Sequence, residues 1–555
     1  VPIPAGQIAA AVDKVDGLAR ALMASSGIPG MAVAVVADGK LVFAKGYGVR
    51  SVLTQAPVDA DTVFQLASLS KPIGATVVAR QVGRGVVQWE TPVSRWLPGF
   101  RLADPFVTTH VTVGDLYAHR SGLPDHAGDY LEQMGYRGDD MLKRLRYFPL
   151  APFRISYAYT NFGLTAGAQA VARASYTDWA TLSDTALYQP LGMRATSSRY
   201  ADFLKRADRA TAHIKTARGF EVTPDYPADA QSPAGGVTSS VNDMARWMQM
   251  VLAQGCVDGQ PLIDAKALLP ALTPQIVSGA PHTPEARSGF YGYGFNVSDS
   301  AAGRVVLGHS GGFRGNATAF SLLPSAQVGI ITLTNAQPMG VPEILNAEFL
   351  DLVQFGQVAQ DWNRLYTEAV APMAEAQGAL AGKTPPADAR PPQALSRYTG
   401  HYDSPLWGRA DVTLVGGQLQ LALGPYAIRA PLSHWDGVNA SIAVTPILAG
   451  QFDDGSSQRC LIGAWLGSIT NRGTGEMERP ADTPFSVTQA HSDMGHGLAA
   501  TCRAQKFPRL TSRSIWLSMT ASDSARRKRA FSCSSSFSRL AWSIFRPPYS
   551  LRQRK

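Results

Sequence analysis

Apolar residues recur at helical spacing near the start of the chain, with Ile8, Val12, Val15, Leu18 and Leu22 on one stripe, and Gly27-Ile28-Pro29-Gly30 ends the pattern. Two short apolar runs follow, residues 31–36 and 41–44, on either side of Asp38-Gly39. That dipeptide favours a tight hairpin turn, because glycine accepts positive φ. A second helical period runs through Ile73, Val77, Val78 and Val82, with Pro72 in the first turn, where a missing N–H is harmless. A short helix is expected to begin at 111–116 and end at Ser121-Gly122-Leu123-Pro124, Tyr157-Ala158-Tyr159-Thr160-Asn161-Phe162-Gly163 is expected to open an apolar helix, and another is expected at about 242–252. Strands are then expected at 291–297, 304–307, 318–323 and 328–334, and a helix at 342–355. Helix, strands, many helices, strands, helix is an α+β order: an antiparallel sheet flanked by helices, with an all-helical region between its strands.

The pattern changes after this. Residues 359–393 are rich in alanine and proline and read as a helical arm and a linker. From residue 394 to about 480 the period is two, with Val412 and Leu414, then Leu419, Leu421 and Leu423, around Gly416-Gly417, as expected of a small β domain. Residues 481–555 show no sustained period and read as a basic, Ser-rich, disordered tail. The first domain is therefore placed at 1–358.

The chain has 555 residues, 45% of them apolar and 17% charged, which suits a globular protein of more than one domain. Its net charge of +9 hints at nucleic acid, but residues 503–555 alone hold 13 Lys and Arg against one acidic residue. The rest carries 38 basic and 41 acidic residues, so the body is near neutral. No glycine-rich phosphate loop precedes a helix and no aromatic-basic array occurs, so a nucleic-acid partner has no support. No apolar run reaches the ~18 residues of a membrane span, and no integral membrane segment is expected. Cys256, Cys460, Cys502 and Cys533 lie far apart, without the spacing of a zinc site or a disulfide framework, and no metal or cofactor is expected.

Candidate chemistry begins at Ser68-Leu69-Ser70-Lys71. A serine hydroxyl is a weak nucleophile, and a lysine one turn on is placed to take its proton or to favour its loss. On its own the pair would look the same as two solvated side chains on a helix. Two further constellations add what it lacks. Tyr159-Thr160-Asn161 offers a phenol able to act as base and acid, and an amide to hold a substrate carbonyl or a lysine ammonium. Gly308-His309-Ser310-Gly311-Gly312, after the 304–307 strand, offers a side-chain cation or donor, and glycines that let a substrate lie along strand backbone. A protonated His309 would lower the proton affinity of Lys71, and a nearby ammonium would favour the Tyr159 phenolate. The same glycine stretch satisfies Gly-x-Ser-x-Gly, but a nucleophile elbow needs a helix next, and 318–323 reads as a strand.

In the order Ser-x-x-Lys, Tyr-x-Asn, His-x-Gly, residues 8–355 resemble the penicillin-recognising serine hydrolases: class C β-lactamases, D,D-peptidases and β-lactamase-like esterases. His119-Arg120-Ser121-Gly122-Leu123, Pro190-Leu191-Gly192-Met193 and Ala234-Gly235-Gly236 add to the likeness. The resemblance implies a β-lactamase-like fold, and a small β-barrel-like domain like the one appended to many relatives. It implies Ser68 as nucleophile, with Lys71 and Tyr159 as proton-transfer partners. Asn161, His309, Ser310, Gly311 and Gly312 would contact substrate, with the Ser68 and Gly312 N–H groups as oxyanion hole and His126 as a cleft wall. The expected activity is hydrolysis of an ester, D-amino-acid peptide or β-lactam through an acyl-enzyme, in the periplasm or outside the cell. A binding protein or sensor that acylates without turnover is the alternative. His309-Ser310-Gly311 stands where class C enzymes have Lys-Thr-Gly, a departure that disfavours strong β-lactam hydrolysis.

Overall fold

The computed structural model describes residues 2–281, 283–371, 384–389, 391–392, 394–436, 439–442 and 470–471. The tail expected at 481–555, residues 372–383 at the end of the expected helical arm, and most of the end of the small β domain lie outside the described residues.

The N-terminal stripe forms the helix Gln7–Ser26, which buries Val15, Ala19 and Leu22 and stops at Gly27 in the left-handed conformation. The hairpin follows as Gly30–Ala37 and Lys40–Gly48, with Asp38 and Gly39 both at positive φ, as a two-residue turn of this kind requires. It joins one edge of an eight-stranded antiparallel sheet. In spatial order the strands are Lys40–Gly48, Gly30–Ala37, Val328–Thr334, Asn316–Leu323, Val305–Phe313, Asn296–Asp299, Gly289–Tyr291 and Ile276–Gly279. Val33 pairs with Thr332, so the first strand locks onto the last one of the domain.

Residues 31–36 are apolar without alternation because both faces of their strand are covered. Ala32, Ala34 and Val36 join the core toward the helical region, and Met31, Val33 and Val35 join the core under Gln7–Ser26 and Val341–Phe355. Each fully buried valine here contributes about 1.5–3 kcal/mol. The sheet thus separates two cores, and the chemistry-bearing residues gather on the first side.

Two strands differ from the sequence pattern. The run expected at 291–297 is broken into Gly289–Tyr291 and Asn296–Asp299, because Gly294 at φ 81 turns the chain against the Lys71 helix. A Cβ at Gly294 would lie 2.7 Å from the Lys71 carbonyl. The strand expected to end at Leu307 runs on to Phe313, so the glycine-rich motif lies inside it rather than after it.

Beyond the helix Trp362–Val370, the residues from Gly400 onward form a second antiparallel sheet of six strands. Its hairpin Gly408–Val415 and Gln418–Leu423 turns at Gly416 and Gly417, both at positive φ. Ala410, Val412, Leu421 and Leu423 share one apolar cluster with Leu131, Met134 and Tyr136 of the helical region. Among the described residues no helix is long and apolar enough to cross a membrane.

Candidate active site

Ser68 sits in the 3-10 turn Ala67–Leu69, one turn ahead of the helix Ser70–Gly83 that carries Lys71. It is not in the helix itself, as the pattern had implied. Ala67 holds φ at 49°, a conformation costly for any residue with a Cβ, and its neighbours hold it there. The Ser70 hydroxyl donates to the Ala67 carbonyl at 2.6 Å and accepts from the Val237 N–H at 2.9 Å. Thr318 Oγ1 donates to the Leu66 carbonyl at 2.8 Å. The turn is thereby stitched to the Ala234-Gly235-Gly236 stretch on one side and to the sheet on the other.

Lys71 is 0% exposed, and its ammonium has three acceptors: Ser68 Oγ at 3.0 Å, Asn161 Oδ1 at 2.7 Å and the Ala234 carbonyl at 2.9 Å. Tyr159 donates from its hydroxyl to Ser68 Oγ at 2.8 Å, and its ring centroid lies 4.4 Å from Lys71 Nζ. The serine oxygen therefore lies between an amine and a phenol, and Ser68 is itself partly exposed to a substrate. Tyr159 is laced in place by its neighbours: the Ala158 N–H donates to the His119 carbonyl at 2.9 Å, and the His126 N–H donates to the Tyr159 carbonyl at 2.7 Å.

Burial decides the protonation states. It lowers the Lys71 ammonium to about 7, against a smaller upward pull from Asp129. It raises the Tyr159 phenol well above its ordinary range, outweighing the bond to Ser68. The phenolate favoured by a nearby cation thus loses to desolvation. Tyr159 stands as a neutral proton donor, and Lys71 is the group that changes charge near neutrality. His309 is likewise not a cation: burial, with Lys71 close by, lowers it to about 3. Its Nδ1 lies 2.6 Å from the Ser310 carbonyl, which only accepts, so the proton is assigned to Nδ1. Nε2 then accepts from the Tyr291 hydroxyl at 2.9 Å. The low affinity of Lys71 for its proton comes from burial, not from a charged His309.

The strand Val305–Phe313 alternates. His309 and Gly311 face the serine turn and are buried, while Ser310 is exposed and bonds Glu343 on the opposite face of the sheet. Gly312 also points away, toward Pro338. The partner strand Asn296–Asp299 pairs only as far as Gly308, so from His309 to Phe313 one backbone edge has no strand beside it among the described residues. An extended substrate has that edge to pair with. Gly311 makes the approach possible: a Cβ there would lie 2.4 Å from the Leu66 carbonyl and 2.9 Å from the Ser68 nitrogen. Gly311→Ala is expected to push the strand off the turn, lowering kcat/KM about 100-fold and also lowering the unfolding temperature, measured on one ester substrate beside a thermal melt.

His126 stands at the cleft wall, its ring 5.7 Å from that of Tyr159, and its Nδ1 lies 2.7 Å from Asp129 Oδ2. Asp129 and Tyr291 join the site although no spacing in the sequence marks them, and the Ala234-Gly235-Gly236 stretch contributes its Ala234 carbonyl. Ser310 has no place as a nucleophile: after Phe313 the chain turns into the strand Asn316–Leu323, so no helix follows. Among the described residues no group of three or more His, Cys, Asp or Glu could hold a metal ion.

The profile of the beta-lactamase family matches residues 15–355. The chain belongs to this family. It is 27% identical over 403 residues to the unguisins hydrolase ungD' of Aspergillus campestris, covering 68% of this chain and 73% of that protein. It is 30% identical over 324 residues to penicillin-binding protein 4 of Amycolatopsis lactamdurans, covering 57% and 83%. The octameric penicillin-binding protein homologue from Pyrococcus abyssi has a similar fold, with a TM-score of 0.55 at 20% identity over 76% of this chain and 90% of that one. The fold of this family member is thus β-lactamase-like, with the small second sheet appended.

Proposed function

We propose that this member of a hydrolytic family cleaves esters or amides through an acyl-enzyme on Ser68. The observation that supports the reading is the placement of Ser68 Oγ between Lys71 Nζ at 3.0 Å and the Tyr159 hydroxyl at 2.8 Å, beside an unpaired strand edge. Neutral Lys71 takes the serine proton as Oγ attacks the carbonyl. The N–H groups of Ser68 and Gly312 receive the oxyanion. The proton then passes through the Tyr159 phenol to the leaving oxygen or nitrogen as its bond to the acyl carbon breaks. Water attacks the acyl-enzyme by the same route in reverse, returning Ser68 to its alcohol. Asn161 holds Lys71 and contacts the substrate.

Neutral His309 offers no charge to a carboxylate on the substrate, so esters and D-amino-acid amides are the favoured acyl donors over carboxylate-bearing β-lactams. A periplasmic or secreted location belongs to the same reading. The test is purified protein against short-chain p-nitrophenyl esters, D-amino-acid amides and nitrocefin. Steady turnover of esters or amides, faster than of nitrocefin, is the expected result. A stoichiometric burst that then stops would identify a binding protein or sensor instead.

The pH dependence follows from Lys71. Its neutral form is the base, so kcat/KM on a neutral ester is expected to rise with pH through about 7 and then level off. A rate that is flat from mildly acidic to neutral pH would remove Lys71 from the base role.

A further inference from the structure

Asp129 opens the helix Asp129–Gln133 at the cleft wall. Its Oδ2 accepts from Asn161 Nδ2 at 2.9 Å and faces His126 Nδ1 at 2.7 Å. An amide has one donor end and one acceptor end, so tying Nδ2 to a carboxylate turns Oδ1 toward Lys71 Nζ, 2.7 Å away. Without that tie the amide is free to flip and to present N–H groups to the lysine.

The segment that carries Asp129 is held from behind by the C-terminal sheet. The Tyr426 N–H donates to the Met134 carbonyl at 3.1 Å, and the Tyr136 hydroxyl donates to the Trp407 carbonyl at 2.9 Å. Arg144 donates from Nη1 to the Leu406 carbonyl at 2.7 Å and lies 4.0 Å over the Tyr136 ring. Gly135, at φ 99, lets the chain lie flat on Tyr426, where a Cβ would come within 2.8 Å of the ring. Leu131, two residues after Asp129 on the same short helix, is fully buried in the cluster the two regions share.

We propose that Asp129 is a positioning residue, setting the Asn161 amide against Lys71, and that the C-terminal sheet keeps it in place by clamping residues 134–144. This rests on the serine-hydrolase reading. The groups facing Lys71 are Ser68, Tyr159, Asn161, His119, His126, His309 and Asp129. Burial keeps His119 and His309 neutral, and Asp129 is the carboxylate whose charge supports the lysine's proton. Loss of that charge lowers the lysine's affinity for its proton further, so the acid limb of activity moves to lower pH while the disordered amide slows the reaction. Loss of His126, itself raised by its bond to Asp129, leaves the carboxylate uncompensated and moves the limb to higher pH.

The experiment measures kcat and KM of the full chain for p-nitrophenyl acetate across the neutral pH range. Asp129→Asn is expected to lower kcat about 10- to 100-fold with KM little changed and to shift the acid limb down, and Asp129→Glu to restore the limb. His126→Ala should shift it up, a reading that needs no substitution at Asp129. Tyr426→Ala should reproduce the Asp129→Asn change more weakly, with its fold checked by near-UV circular dichroism. An acid limb unmoved in both Asp129→Asn and His126→Ala overturns the positioning role, whatever the residual activity. Wild-type kcat and pH profile in Tyr426→Ala overturn the clamp. Absence of both ester and amide turnover in the wild type overturns the hydrolase reading and this inference together, whereas turnover with an unmoved limb overturns this inference alone.

Discussion

Ser68→Ala is expected to abolish turnover, with kcat falling on the order of 10⁶-fold, because the residual rate then comes only from substrate binding and oxyanion donors. The same variant should no longer take up a fluorophosphonate, while Ser310→Ala labels at the wild-type rate. The contrast is geometric. Ser68 Oγ has an amine and a phenol within hydrogen-bond distance, whereas Ser310 turns to the other face of the sheet and bonds Glu343. Covalent labelling retained in Ser68→Ala and lost in Ser310→Ala would refute the assignment.

The second large effect concerns Lys71 and Tyr159 as one unit. Lys71→Ala and Tyr159→Phe are each expected to cost about 10²- to 10⁴-fold in kcat/KM, with KM nearly constant, since the proton moves only in the transition state. The double variant should lose little more than the worse single one, because both groups serve one transfer through one oxygen. Tyr159→Phe keeps the aromatic ring beside Lys71 Nζ and removes only the hydroxyl that bonds Ser68, which separates packing from chemistry. A double-mutant cycle on one ester measures this. Simple additivity, or near-full activity in Tyr159→Phe with an unchanged pH profile, would make Tyr159 a packing residue.

The hydrophobic pattern alone determined several of the elements. The stripe from Ile8 to Leu22, the Asp38-Gly39 hairpin, the helix now seen as Val341–Phe355 and the Gly416-Gly417 hairpin were legible because helix period, strand period and turn chemistry are local properties. The order of Ser68, Lys71, Tyr159, Asn161 and His309 along the chain also pointed to the family, since each is a residue type that the proposed serine-acylation chemistry would use. The faces of the glycine-rich strand were not legible: side chains alternate along a strand, and only the docking of the serine turn against Gly311 decides that His309 faces inward and Ser310 outward. Protonation was not legible either. Nearness to opposite charge can be guessed from motifs, but burial cannot, and burial is what brings Lys71 near neutrality, keeps Tyr159 a phenol and leaves His309 uncharged. Asp129 was invisible for the same reason. It lies 32 residues before Asn161 and 58 after Lys71, and only the packing of a short helix between the cleft and the C-terminal sheet brings its carboxylate to the amide that holds the lysine.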